Sequence, residues 1–186
     1  DEISEESSEE YKTSETYHLN LAGTYLKKKE YKKAEEEVIK AIQKNPRCPP
    51  AWIQLAKVYV EAKREEEAIE IYKKIYNDFK KEREEIIVGL TDLFLKTDKI
   101  AEAEKFVAVI KKELVVGKHV MTCEGMLNEE KNNIRKAIAL YLKSLEIDPS
   151  IARTYGMLGT FSMNYTWNWQ ESEMYFKKAI ELSPNS

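Results

Sequence analysis

The chain has 186 residues, 42% hydrophobic and 34% charged, with only 6 Gly and 5 Pro and a formal net charge of −3. Its first ten residues hold six acids, so the remainder is near +3, and its bases are interleaved with acids; this weak, mixed charge argues against a nucleic-acid partner. No apolar run approaches the roughly 18 residues of a membrane span.

Residues 1–13 lack apolar periodicity and read as a disordered acidic leader, in which Ser4, Ser7 and Ser8 are expected to be part of a solvated tail rather than phosphorylation sites. The start at Asp1, without signal peptide or initiator Met, is expected of a processed protein or an excised fragment. Ser14 is placed to cap a first helix, Tyr17 to about Lys28, followed by a second, Tyr31 to Lys44. Leu21, Ala22 and Tyr25 share a face of the first helix; Ala34, Val38 and Ala41 share the matching face of the second. Asn45-Pro46 ends the pair, because proline cannot continue a helix.

Pro49-Pro50 opens the next helix, tolerable only in a first turn. Trp52, Leu55, Ala56 and Tyr59 are expected to pack against Ala68, Tyr72 and Ile75. The third pair uses Ile87, Leu90, Thr91 and Phe94 with Ala103, Val107 and Ile110; its exit, Leu114 to Gly117, relies on Gly117 to turn. The fourth uses Met121, Gly125 and Leu127, then Ile134, Ala137, Tyr141 and Leu145, and closes at Asp148-Pro149. The fifth uses Tyr155, Leu158 and Gly159, then Trp169, Ser172, Phe176, Ala179 and Pro184, with a turn about one residue longer, Asn164 to Asn168. That turn contains a single Asn-Tyr-Thr glycosylation sequon, a frequent chance match. A small residue thus recurs at Ala34, Ala68, Ala103, Ala137 and Ser172, at spacings of 34, 35, 34 and 35. Such a period marks stacked helix pairs.

Reactive chemistry is sparse. The two cysteines, Cys48 and Cys123, lie about two repeats apart, too far to bridge in a stack that contacts only neighbours, which favours a reducing, cytoplasmic setting. His18 reads as a packing residue. His119 and Cys123 have i, i+4 spacing without further ligands nearby, so no metal site is expected. There is no phosphate-binding glycine loop and no nucleophile elbow, so the chain is expected to be neither an enzyme nor a cofactor carrier. Charge runs such as Lys63 to Glu67 read as solvated helix faces, and the Trp167-Asn168-Trp169 turn reads as an anchor for the last pair or an exposed tip.

These residues resemble the tetratricopeptide repeat family. The second repeat carries its pattern best, in Trp52, Leu55-Ala56, Tyr59, Ala68, Tyr72 and Ile75. The first follows through Leu21-Ala22, Tyr25, Tyr31, Ala34, Ala41 and Pro46, and the fifth through Tyr155, Leu158-Gly159, Trp169, Phe176, Ala179 and Pro184. The third lacks the proline, and the fourth has Glu124 and Asn128 where Leu and Tyr are usual. The resemblance implies an all-α, right-handed solenoid superhelix of about five antiparallel helix pairs. The expected domain is 14–186, with repeats at about 15–48, 49–83, 84–117, 118–151 and 152–186.

It also implies that the first helices of the pairs line a concave groove for a partner's peptide or helix. The positions concerned are Leu19, Ile53, Val88, Thr122 and Gly156; Gly23, Lys57, Asp92, Met126 and Thr160; and Leu26, Val60, Leu95, Glu129 and Met163. Two of these three sets are mainly apolar or small, with Lys57 and Asp92 as isolated charges. No frame reproduces the Lys, Asn and Arg clamp that family members use for a terminal carboxylate: the three starts give Leu19, Gly23, Gln54, Glu85 and Gly89, or Ile53, Lys57, Gly89, His119 and Cys123, or Val88, Asp92, Cys123, Arg153 and Met157. The expected partner is an apolar or amphipathic segment, with Met126, Met157 and Met163 supplying adaptable contacts. No polar capping helix follows the fifth repeat, so the last pair is expected to expose an apolar face that either a longer natural protein or a second molecule, in a homodimer, would bury. Three functions follow in order: a non-catalytic scaffold binding a partner protein, a self-assembling homo-oligomeric array, and a regulatory or recruitment domain cut from a larger protein.

Overall fold

The structure is a computed structural model that describes residues 14–114 and 117–183. The acidic leader with Ser4, Ser7 and Ser8, the Val115-Val116 exit and Pro184 lie outside the described residues. Among the described residues ten α-helices form five pairs: α1 (Glu15–Lys27) with α2 (Tyr31–Lys44), α3 (Pro49–Glu61) with α4 (Glu65–Asp78), α5 (Arg83–Lys96) with α6 (Ile100–Glu113), α7 (Lys118–Glu130) with α8 (Ile134–Ile147), and α9 (Ala152–Asn164) with α10 (Trp169–Leu182). The described residues divide into two compact units, one up to Ile86 and one from Ile87 onward.

The ends of the helices follow from local chemistry. Ser14 Oγ accepts the Tyr17 N–H at 3.1 Å, so α1 starts two residues ahead of the expected Tyr17. Pro49 and Pro50 occupy the first turn of α3. The first four pairs turn by one motif. The Glu30 N–H reaches back to the Tyr25 carbonyl at 2.9 Å, and the Lys29 N–H to Leu26 at 2.9 Å; the same bonds recur at Arg64 to Tyr59, Lys99 to Phe94 and Asn133 to Asn128. This closure needs a left-handed residue at its centre, usually Gly. Here Lys29, Lys63, Asp98 and Asn132 fill it with φ between 57° and 60°, at a strain cost of roughly 1 kcal/mol for lysine and less for asparagine. In the fifth pair the extra residue moves the left-handed position to Trp167, and the Asn168 N–H bonds to Ser162 instead.

Residues 16 apart across this turn meet in the first and fourth pairs: Ala22 and Val38 share one core, and Gly125 faces Tyr141. The longer fifth turn makes the partners Gly159 and Phe176. Large is set against small. A Cβ on Gly125 would stand 2.4 Å from the Tyr141 ring, and one on Gly159 would stand 2.9 Å from Phe176. Tyr141 is thereby fully buried. Where the second helix carries Val38, the first carries Ala22.

In the first unit, Ala22, Ala34, Val38, Leu55 and Val58 form one core, with Tyr25, Trp52 and Tyr59 packed on it. Polar contacts then join adjacent repeats. Glu35 accepts the Tyr59 hydroxyl at 2.9 Å and Arg64 at 2.6 Å, while the guanidinium stacks on Tyr59. In the second unit Glu104, the residue after the small Ala103 as Glu35 is after Ala34, pairs with Lys131. The fourth repeat, with Glu124 and Asn128 where the repeat pattern has Leu and Tyr, forms both helices: Asn128 bonds back to the Glu124 carbonyl at 2.7 Å, and Glu124 itself pairs with Lys111 at 2.6 Å.

Two glycine substitutions separate these effects. Gly125→Ala forces a methyl into the Tyr141 ring and is expected to lower stability by about 1–3 kcal/mol. At Gly156, in the middle of α9, a Cβ meets nothing within 4 Å, and Gly156→Ala is expected to raise stability by about 0.5–1 kcal/mol. Urea unfolding of both variants checks the pair; equal shifts would contradict the packing assigned to Tyr141.

Candidate functional site

Each unit presents one face of its first helices. In the first unit, Leu26, Pro50, Ile53, Gln54 and Lys57 line a hollow of about 390 Å³. Gln54 Nε2 donates to the Leu19 carbonyl at 2.9 Å, and Gly23 lies beside this amide, with room for a Cβ at an ordinary contact distance of 3.7 Å. Leu19 packs instead on Ala41, Cys48 and Ala51, and Val60 is half-buried without lining the hollow.

The second unit holds the larger groove, about 900 Å³, lined from α5, α7, α9 and α10. Asp92, Leu95, Met126, Glu129, Gly156 and Thr160, all expected from the repeat register, come together in it. Val88 is 7% exposed, and Met163 is half-buried; neither lines the groove. Thr122 requires a correction: it is fully buried and lines no surface. Its hydroxyl bonds the Lys118 carbonyl at 3.0 Å, Ser144 at 3.0 Å and Thr154 at 3.3 Å, an interior hydroxyl cluster joining α7, α8 and α9. Further lining comes from Lys96, Arg153, Met157 and Phe176. Phe176 lies on a second helix, outside the positions that the repeat register assigns to the groove.

Asp92, expected to be an isolated charge, is held by two cations: Lys96 at 2.8 Å and Arg153 at 3.1 Å. Glu129 is different. Its Oε2 accepts the Tyr141 hydroxyl at 2.9 Å, and its Oε1 has no donor among the described residues. Burial pushes the Glu129 carboxyl above its usual range; the Tyr141 hydroxyl opposes the shift and the neighbouring Glu130 adds to it.

Other expected positions fall elsewhere. His18 Nδ1 lies 2.7 Å from Glu37 Oε2, a mostly buried packing contact. Cys48 and Cys123 are free, buried thiols, and burial pushes Cys123 to about 12, which leaves it protonated and a poor metal ligand. Trp167 and Trp169 are 73% and 60% exposed, so the turn is an open tip. No helix among the described residues is long and apolar enough to cross a membrane.

A tetratricopeptide repeat family model matches residues 15–48, 49–77 and 124–151. Solved structures share the fold. YrrB, described as a TPR protein with an unusual peptide-binding site, is 19% identical, with a TM-score of 0.56 over 97% of this chain and 92% of its own. A thermophilic TPR protein from Thermus thermophilus is 16% identical, with a TM-score of 0.69 over 93% of each chain. MamA is 21% identical, with a TM-score of 0.58 over 93% of each. No curated protein matches the chain.

The raised carboxyl of Glu129 has a consequence for stability. A carboxyl whose pKa is higher folded than unfolded penalises folding once ionised, so the penalty is present at neutral pH and disappears as pH falls below the unfolded value of about 4.3. Glu129→Gln keeps an acceptor for Tyr141 and is expected to raise the urea midpoint at pH 7, with the gain vanishing near pH 4. A midpoint that falls at pH 7 would contradict the assignment.

Proposed function

Since this chain belongs to the tetratricopeptide repeat family, we propose that it is a non-catalytic scaffold that binds a peptide or helix of a partner protein along the first helices of its repeats. Proteins of this family bind protein or peptide partners, and YrrB carries a peptide-binding site. The observation that carries the proposal is the 900 Å³ groove, where Leu95, Met126, Met157 and Phe176 are brought together by four helices. Their apolar, flexible side chains suit an amphipathic segment. The hollow at Leu26, Ile53 and Lys57 would offer a second contact in the first unit. The free, buried thiols support a reducing, cytoplasmic setting.

A homodimer through α10 is the second reading. Met174 and Ile180 on that helix are 56% and 64% exposed, and Ile180→Lys would then abolish a dimer seen by light scattering; a monomer at every concentration would discard this reading.

The groove itself is tested by filling it. Gly156 has open space before it, so Gly156→Trp is expected to preserve the helical circular dichroism and thermal midpoint while reducing binding of selected peptides by about tenfold or more. Unchanged binding to the filled variant would place the peptide site elsewhere.

A further inference from the structure

The groove of the second unit is not electrically balanced. Three carboxylates, Asp92, Glu129 and Glu130, face two cations, Lys96 and Arg153. Both cations are already engaged by Asp92, which leaves Glu129 and Glu130 without an ion-pair partner among the described residues. Glu130 is exposed at the rim, where water screens it. Glu129 stands beside the apolar side chains, with Oε2 fixed by Tyr141 from α8 and Oε1 open to a donor. Tyr141 is itself immobilised, fully buried against Gly125, so the carboxylate is oriented before any partner arrives.

We propose that this groove takes an amphipathic peptide segment that sets one Lys or Arg side chain against Glu129 Oε1 while its apolar side chains cover Leu95, Met126, Met157 and Phe176. The inference rests on the scaffold reading above and supplies the chemistry of its partner. A basic side chain would bring the lining from a net charge of −1 to neutrality and complete the hydrogen bonding of a half-buried carboxylate. Burial also raises the Glu129 carboxyl, so a groove without a partner holds an ionised group at a cost to its own stability. Residues retained against stability are expected at working sites. An acidic segment would meet Glu129 and Glu130 as like charges and be rejected.

The test begins with a displayed library of random peptides about 12 residues long, panned against the full chain. Peptides whose binding is lost in Gly156→Trp are groove ligands. They are expected to carry Lys or Arg at a fixed spacing from apolar residues. Synthetic copies should lose about tenfold or more in affinity for Glu129→Gln, and replacing the basic residue by norleucine should cause a similar loss without further effect in that variant. Because Glu129→Gln is expected to be the more stable protein, its weaker binding would not reflect unfolding. Glu129→Lys should in turn favour copies bearing Glu at the same place. Groove ligands without a basic residue, or affinities for Glu129→Gln within about twofold of the parent, would overturn the inference and leave the scaffold reading standing. A library that yields no groove ligand would overturn both.

Discussion

Where the first helix of a pair gives up a side chain, the second sends a ring into the space. Gly125 admits Tyr141 and Gly159 admits Phe176, at distances that would not accommodate even a methyl group. Close approach of paired helices depends on this exchange of volume, because each ridge must find a groove on its neighbour. The same exchange reaches the surface. Tyr141, seated against Gly125, directs its hydroxyl to Glu129, and Phe176, seated against Gly159, lines the groove. One packing rule therefore builds the core of the second unit and sets two features of its candidate site.

Polar groups add a further layer of specification. Glu35 with Tyr59 and Arg64, Glu104 with Lys131, and the hydroxyl cluster of Thr122, Ser144 and Thr154 each join one repeat to the next within a unit. Apolar contacts between repeats are tolerant of small slips, whereas hydrogen bonds are not. The stack keeps its register partly through these contacts. Lysine at two of the left-handed turn positions shows that the fold carries some strain in exchange for a uniform turn.

Much of this was legible from the residues. The 34- and 35-residue spacing of small residues placed all five pairs, and the five-residue stretch from Asn164 to Asn168 correctly announced a longer last turn. The groove was legible in part. Asp92, Leu95, Met126 and Thr160 converge because they share fixed positions on successive helices. Thr122 shares such a position and is nevertheless buried, since Ser144 and Thr154 offer its hydroxyl partners inside. A position in a repeat fixes which way a residue points, and its neighbours decide how far the surface lies beyond it. The pairing of Asp92 with Arg153 spans 61 residues and leaves no local pattern. The buried Glu37 similarly hides in a run of glutamates, where nothing in the sequence distinguishes it from its solvated neighbours.

The central claim is that partner binding occurs in the groove of the second unit and not on the exposed last helix. The five methionines report on it directly when labelled at their methyl carbons and followed by NMR during titration with a basic amphipathic peptide. Met126 and Met157 line the groove, whereas Met174 is 56% exposed on α10 outside it. The account predicts that the Met126 and Met157 signals shift in a saturable manner while Met174 stays in place. Shifts confined to Met174, with Met126 and Met157 unmoved, would contradict it.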